Sequence, residues 1–133
     1  MGDDVNSCCR QVNGLPLGSV LAPTLFNLYT NDFPATLSRR FIYADHICCA
    51  FQTETFSEIE CTLTADLAYL AKYCQQWRLK PCTSKTVTSV FHVHNIRSCR
   101  ELDVQMNGQR LRHHPHSVYL GVTIDWILSY REH

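Results

Sequence analysis

The stretch Phe41-Ile42-Tyr43-Ala44-Asp45-His46-Ile47-Cys48-Cys49-Ala50 constrains the chain most. Two apolar runs rich in β-branched and aromatic residues flank a small residue and a carboxylate, which predicts a tight hairpin with Asp45 at its turn between two buried strands, continuing to about Gln52. Only 18% of the chain is charged. An acid lodged between Ile42 and Ile47 costs desolvation unless a cation or hydrogen-bond donors meet it, so Asp45 is a candidate functional residue. Asp is also common in turns because it suits their geometry, and that plainer reading stands beside the functional one.

A loop comes first in chain order. Gly14-Leu15-Pro16-Leu17-Gly18-Ser19 brackets a proline with glycines, so its backbone can approach another molecule closely, and Ser19 is placed to cap a following helix. That helix is predicted from Val20 to about Asp32, buried because it is apolar on most of its circumference, with Pro23 tolerated in the first turn. Residues 1–13 are polar and aperiodic, a loose lead-in.

Thr55-Phe56-Ser57-Glu58 has the pattern of a capping box opening a long amphipathic helix. Its core stripe is Phe56, Ile59, Leu63, Leu67, Leu70, Cys74 and Trp77, with Glu58, Glu60, Asp66, Lys72 and Gln75 on the polar face. A basic, turn-rich segment from Arg78 to Thr86 follows. Strands are then predicted over Val87 to His94, Glu101 to Met106, Gln109 to Leu111 and Val118 to Ile124, with Asn107-Gly108 as a hairpin turn. The order of elements is α+β.

The 133 residues are one domain's worth of material, 45% hydrophobic, and twelve basic against twelve acidic residues give no overall basic field for nucleic acid. The eight cysteines include the adjacent pairs Cys8-Cys9 and Cys48-Cys49, whose side chains on a strand would point to opposite faces, so reduced thiols and an intracellular location in cytoplasm or nucleus are expected. No run approaches the ~20 apolar residues of a membrane span. Arg97, Arg100, Arg110 and Arg112 with the histidines after them make a basic stretch suited to phosphates or to a solvated strand edge. His92, His94, His113, His114 and His116 with Cys82 and Cys99 leave a small zinc-stabilised domain as an alternative.

The Gly-Pro-Gly loop, its helix, the aromatic-x-Asp hairpin, the long helix and the Lys-containing turn, in that order, resemble the reverse transcriptase domain of non-LTR retrotransposons over about residues 10–133. The family's loop motif appears as Gly14 to Pro23, its aromatic-x-Asp-Asp motif as Tyr43-Ala44-Asp45-His46, and its Leu-x-x-x-x-Lys-Thr motif as Leu79 to Lys85-Thr86. The strand that approaches the primer end resembles Tyr119 to Ile124.

The resemblance implies a partial polymerase palm over residues 14–133, an antiparallel sheet with helices on one face plus the start of the thumb. It implies RNA-directed DNA polymerase chemistry with Mg²⁺, an RNA template and a DNA primer. Asp45 becomes a metal-ligating catalytic residue and Lys85 a catalytic proton donor or electrostatic partner of the departing phosphate. Pro16, Leu17, Gly18, Ser19 and Tyr43 become template- or nucleotide-binding residues, and Tyr119, Leu120 and Gly121 primer-strand contacts. Two positions depart from the family: its Gln is Leu17 and its second Asp is His46. The strand carrying the family's first catalytic Asp is expected upstream of Gly14, a place Asp3 and Asp4 cannot fill, so the chain reads as an inactive fragment whose open sheet edge invites self-association. A retroelement-derived module that binds RNA or protein without catalysis is the other class of reading.

Overall fold

The computed structural model describes residues 18–91 and 100–125. They fall in two units, Met1–Asp32 and Phe33–His133.

In the first unit, helix α1 runs Ala22–Tyr29 with Pro23 in its first turn, shorter than predicted. Ser19 does not cap it directly: its hydroxyl accepts from the amide of Leu21, which is the N-cap, at 3.3 Å. Thr30 closes the helix by donating both its amide and its hydroxyl to the carbonyl of Phe26. No residue of α1 is buried, and Leu25 and Leu28 stand exposed, against the expectation of a buried helix. Apolar residues around the whole circumference say what the helix would bury, but not what covers it.

The second unit begins with the expected hairpin. Strand β1, Arg39–Tyr43, pairs antiparallel with β2, His46–Ala50, in the register Tyr43↔His46. The turn is Ala44-Asp45, and Ala44 takes a positive φ of 49°. Helix α2 follows over Phe56–Gln76, with Thr55 as N-cap. The capping box does not close in its usual form, because the Glu58 carboxylate accepts from the hydroxyls of Thr53 and Thr55 and not from the N-cap amide. At the other end Arg78, at φ 56°, takes the left-handed position that glycine usually fills. The amides of Arg78 and Leu79 donate to the carbonyls of Gln75 and Cys74, a Schellman closure.

Along residues 101–106 exposed and buried positions alternate strictly. Leu102, Val104 and Met106 point inward and join Leu111 in the core cluster, which packs on Phe56, Ile59, Leu63, Leu67, Ala71 and Val90. Two side chains on the flank of α2 fix this segment's height. Glu60 accepts from the Asp103 amide at 3.0 Å, and the Thr64 hydroxyl accepts from the Gln105 amide at 3.3 Å.

The remaining strands are short: β3, Val87–Thr88; β4, Gln105–Met106; β5, Gln109–Arg110; β6, Arg112–His113; β7, His116–Tyr119; and β8, Val122–Asp125. Among the described residues the strands form four separate pairs, β1 with β2, β3 with β6, β4 with β5 and β7 with β8, and β3–β6 is parallel. The mixed helices and small sheets are α+β, whereas the expected antiparallel sheet is not one continuous sheet here. Two-residue strands cannot carry a wide ladder, and a parallel pair needs the crossover that the β4–β5 hairpin lies within.

The predicted strand from Val118 to Ile124 is a hairpin. Leu120 and Gly121 form its turn with φ of 51° and 81°, the two positive angles that the Asn107-Gly108 turn also has. Gly121 was the sign of the break, since a glycine inside an apolar run often marks a turn.

Candidate active site

Asp45 stands at the tip of the β1–β2 hairpin with its side chain 87% exposed. The expected desolvation is therefore absent: a two-residue loop between antiparallel strands lifts the carboxylate clear of Ile42 and Ile47 rather than lodging it between them. Its neighbour is His46, whose Nε2 lies 3.9 Å from Asp45 Oδ1. The strands are not buried either, with Phe41, Ile42, Tyr43 and Ile47 all exposed by 42% or more.

The hairpin is held at its root. Asp66 of α2, expected on the polar face, is only 2% exposed. Its Oδ1 accepts the Leu37 amide at 3.1 Å and its Oδ2 the Ser38 amide at 2.7 Å. Burial by itself would raise the Asp66 carboxyl, but the nearby Ser38 hydroxyl, the two amides and the Arg40 guanidinium outweigh it and hold the group below its ordinary value. That hydroxyl is buried beside the carboxylate. The carboxylate's contribution to stability is thus complete above the ordinary aspartate range and is lost as pH falls through the lowered folded value. Spacing could have found this residue: position 66 is three after Leu63 and four before Leu70, alongside the apolar stripe.

Arg40 donates to the carbonyl of Pro34, and its guanidinium lies 5.8 Å above the Phe33 ring. Phe33 in turn meets Tyr73 of α2 at 4.4 Å between ring centroids. Cys49, paired across from Arg40, is pushed up mainly by burial, as are Cys48 and Cys74.

Lys85 lies exposed in the turn after α2, where its amide donates to the Cys82 carbonyl at 3.1 Å. No ion pair joins it to Asp45. In the same turn the Cys82 thiol is lowered, first by its contact with the Ser84 hydroxyl at 3.2 Å and then by the Lys85 amide. Tyr119 does reach the hairpin: its hydroxyl donates to the carbonyl of Phe41 at 3.3 Å. Tyr43 is 65% exposed two residues before Asp45.

Gly18 and Ser19 belong to the first unit, and Gly18 has a φ of 84° with nothing within 4 Å of where a Cβ would stand. Pro16 and Leu17 lie outside the described residues, as do Asp3, Asp4, His92, His94, Arg97 and Cys99.

Two arginines of the expected basic stretch meet acids. Arg100 pairs with Glu60 at 3.6 Å and stacks on Phe56, while Arg110 contacts both Glu101 and Asp103. Glu101 and Asp103, which fall within the stretch in sequence, are the counter-ions of Arg110. Among the described residues no three His, Cys, Asp or Glu side chains lie together so as to hold a metal ion. The described histidines therefore offer no zinc site. Asp45 with His46 likewise falls short of a two-metal centre, since a hard divalent cation wants several oxygen ligands.

The sequence profile of the reverse transcriptase (RNA-dependent DNA polymerase) family matches residues 4–124. The chain is 29% identical to the probable RNA-directed DNA polymerase from transposon BS of Drosophila melanogaster and 30% identical to the RNA-directed DNA polymerase from mobile element jockey of Drosophila funebris. Each alignment covers 90% of this chain and 14% of the relative's length. No solved structure matches. Among the described residues no helix is long and apolar enough to cross a membrane.

Proposed function

The chain belongs to the reverse transcriptase (RNA-dependent DNA polymerase) family, and from that premise we propose that it supplies part of the palm of a non-LTR retroelement's RNA-directed DNA polymerase. Asp45 is its contribution to the catalytic carboxylates. The observation that carries this reading is the Asp45 hairpin itself, a two-residue turn that projects one carboxylate 87% exposed from a family motif.

The other roles follow the same reading. Residues 16–19 and Tyr43 would line the template and incoming nucleotide, and the open space above Gly18 leaves its backbone approachable. Lys85 would meet the departing phosphate. Tyr119, Leu120 and Gly121 would face the primer strand, and the Tyr119 bond to Phe41 supports a link between that turn and the hairpin. A divalent cation supplies charge stabilisation in this chemistry. Since Asp45 and His46 do not suffice to hold it, further carboxylates must come from elsewhere in the polymerase. The partners proposed are an RNA template and a DNA primer, in cytoplasm or nucleus.

The isolated 133-residue chain is accordingly expected to extend no primer on an RNA template, in Mg²⁺ or Mn²⁺. Incorporation of labelled nucleotide above that of an Asp45→Ala control would overturn the reading of this chain as an incomplete centre.

A further inference from the structure

The hairpin that carries Asp45 has little to fix its direction along its length. Among the described residues β1 and β2 pair only with each other, and their large side chains are exposed. Apart from the Tyr119 hydroxyl on the Phe41 carbonyl, the contacts that can fix it lie at the root. There, Ser38 is 4% exposed immediately before β1 begins, and its amide and that of Leu37 are held on separate oxygens of a carboxylate that is itself 2% exposed. Two bonds to two oxygens fix the orientation of consecutive peptide planes, which one bond cannot do. The Arg40, Pro34, Phe33 and Tyr73 contacts tie the same root to the same helix.

We propose that Asp66 is a positioning residue for the polymerase reaction: its carboxylate sets the direction in which β1 leaves α2, and so where Asp45 stands. The proposal rests on the reading of Asp45 as a catalytic carboxylate. From Ser38 to Asp45 the strand reaches roughly 20 Å at its usual rise per residue. A tilt of about 10° at the root would therefore carry the tip by about 3 Å, whereas a misplacement of about 1 Å already costs on the order of 10²-fold in rate. A buried charge held only for stability would not need to sit at the one joint from which this lever swings.

The test uses a graft in which the matching stretch of the Drosophila funebris jockey polymerase is replaced by this chain carrying Leu17→Gln and His46→Asp. Single-turnover primer extension separates the rate constant from the fraction of active enzyme. D66N, which keeps one acceptor and turns an amide group toward the donors, is expected to lower the rate constant about 30-fold, with the KM for primer–template changed less than about twofold. D66E keeps both acceptor oxygens and is expected to recover to within about fivefold of the parent. A D66N graft that loses only amplitude, at an unchanged rate constant, would make Asp66 a stability residue and overturn the proposal; so would equal losses in D66N and D66E. If Asp45→Ala leaves extension intact, the functional reading fails and the positioning role with it, a result distinct from an Asp45-dependent graft indifferent to Asp66. Should D66N not fold, amide exchange in the unaltered graft decides. Leu37 and Ser38 are expected to exchange as slowly as the interior of α2, and exchange as fast as the Ala44-Asp45 turn would overturn the proposal.

Discussion

In the jockey graft carrying Leu17→Gln, changing His46 to Asp is expected to raise RNA-templated primer extension about 10²-fold, the scale on which a single well-placed electrostatic group acts. Residue 46 is the neighbour of Asp45. Its Nε2 stands 3.9 Å from Asp45 Oδ1 at the same hairpin tip, and both side chains are open to solvent. On the proposed reading the donor is at fault: imidazole suits softer metals, and a hard divalent cation prefers oxygen. His46→Asn separates the two explanations of a gain, because it removes the ring without adding a charge and should leave extension at the parent's level. Equal rates for the His, Asn and Asp forms, measured at one enzyme concentration, would place residue 46 outside the chemistry.

The second large effect concerns the isolated chain, which is expected to self-associate at low micromolar concentration. Phe41, Ile42, Tyr43 and Ile47 crowd one short hairpin, and each is exposed by at least 42%. Neither β1 nor β2 has a further strand beside it among the described residues, and the Tyr119 hydroxyl occupies only one carbonyl of β1. Apolar hairpins with open edges pair with other chains, and contiguous apolar surface of several hundred Å² marks a binding or aggregation site. Size-exclusion chromatography with light scattering should find species heavier than the 133-residue monomer that bind a hydrophobic dye. The double variant Phe41→Lys, Ile47→Lys should shift them toward monomer by placing one charge on each face of the hairpin. A sharp monomer peak with a cooperative melt and no dye uptake would show that the chain covers this hairpin itself.

Sequence reached the elements whose signals are local. The hairpin at Ala44-Asp45, the α2 stripe from Phe56 to Trp77 and the Asn107-Gly108 turn all stand where periodicity and turn chemistry put them. It failed where the deciding partner is distant. The polarity of Asp66 suggested solvent, but the amides it serves are 28 and 29 residues away. Apolar character marked α1 and the β1–β2 hairpin as buried, yet hydrophobicity measures what a segment can bury and not what is present to bury it. Arg110 looked free to meet phosphate until folding set Glu101 and Asp103 beside it. The Leu120-Gly121 turn was hidden because Leu120 continues an apolar run through a position of positive φ, where few side chains are at ease.

The Asp45 hairpin carries the whole functional account, and one comparison tests it most directly. The graft with Leu17→Gln and His46→Asp is assayed for primer extension beside the same protein with Asp45→Ala added, at matched folded concentration. The account predicts robust extension by the first and a loss of about 10³-fold in the second, the cost of removing a charged group on which the transition state depends. An active graft whose rate does not change with Asp45→Ala would contradict it, for the hairpin would then be a surface turn and its carboxylate a bystander.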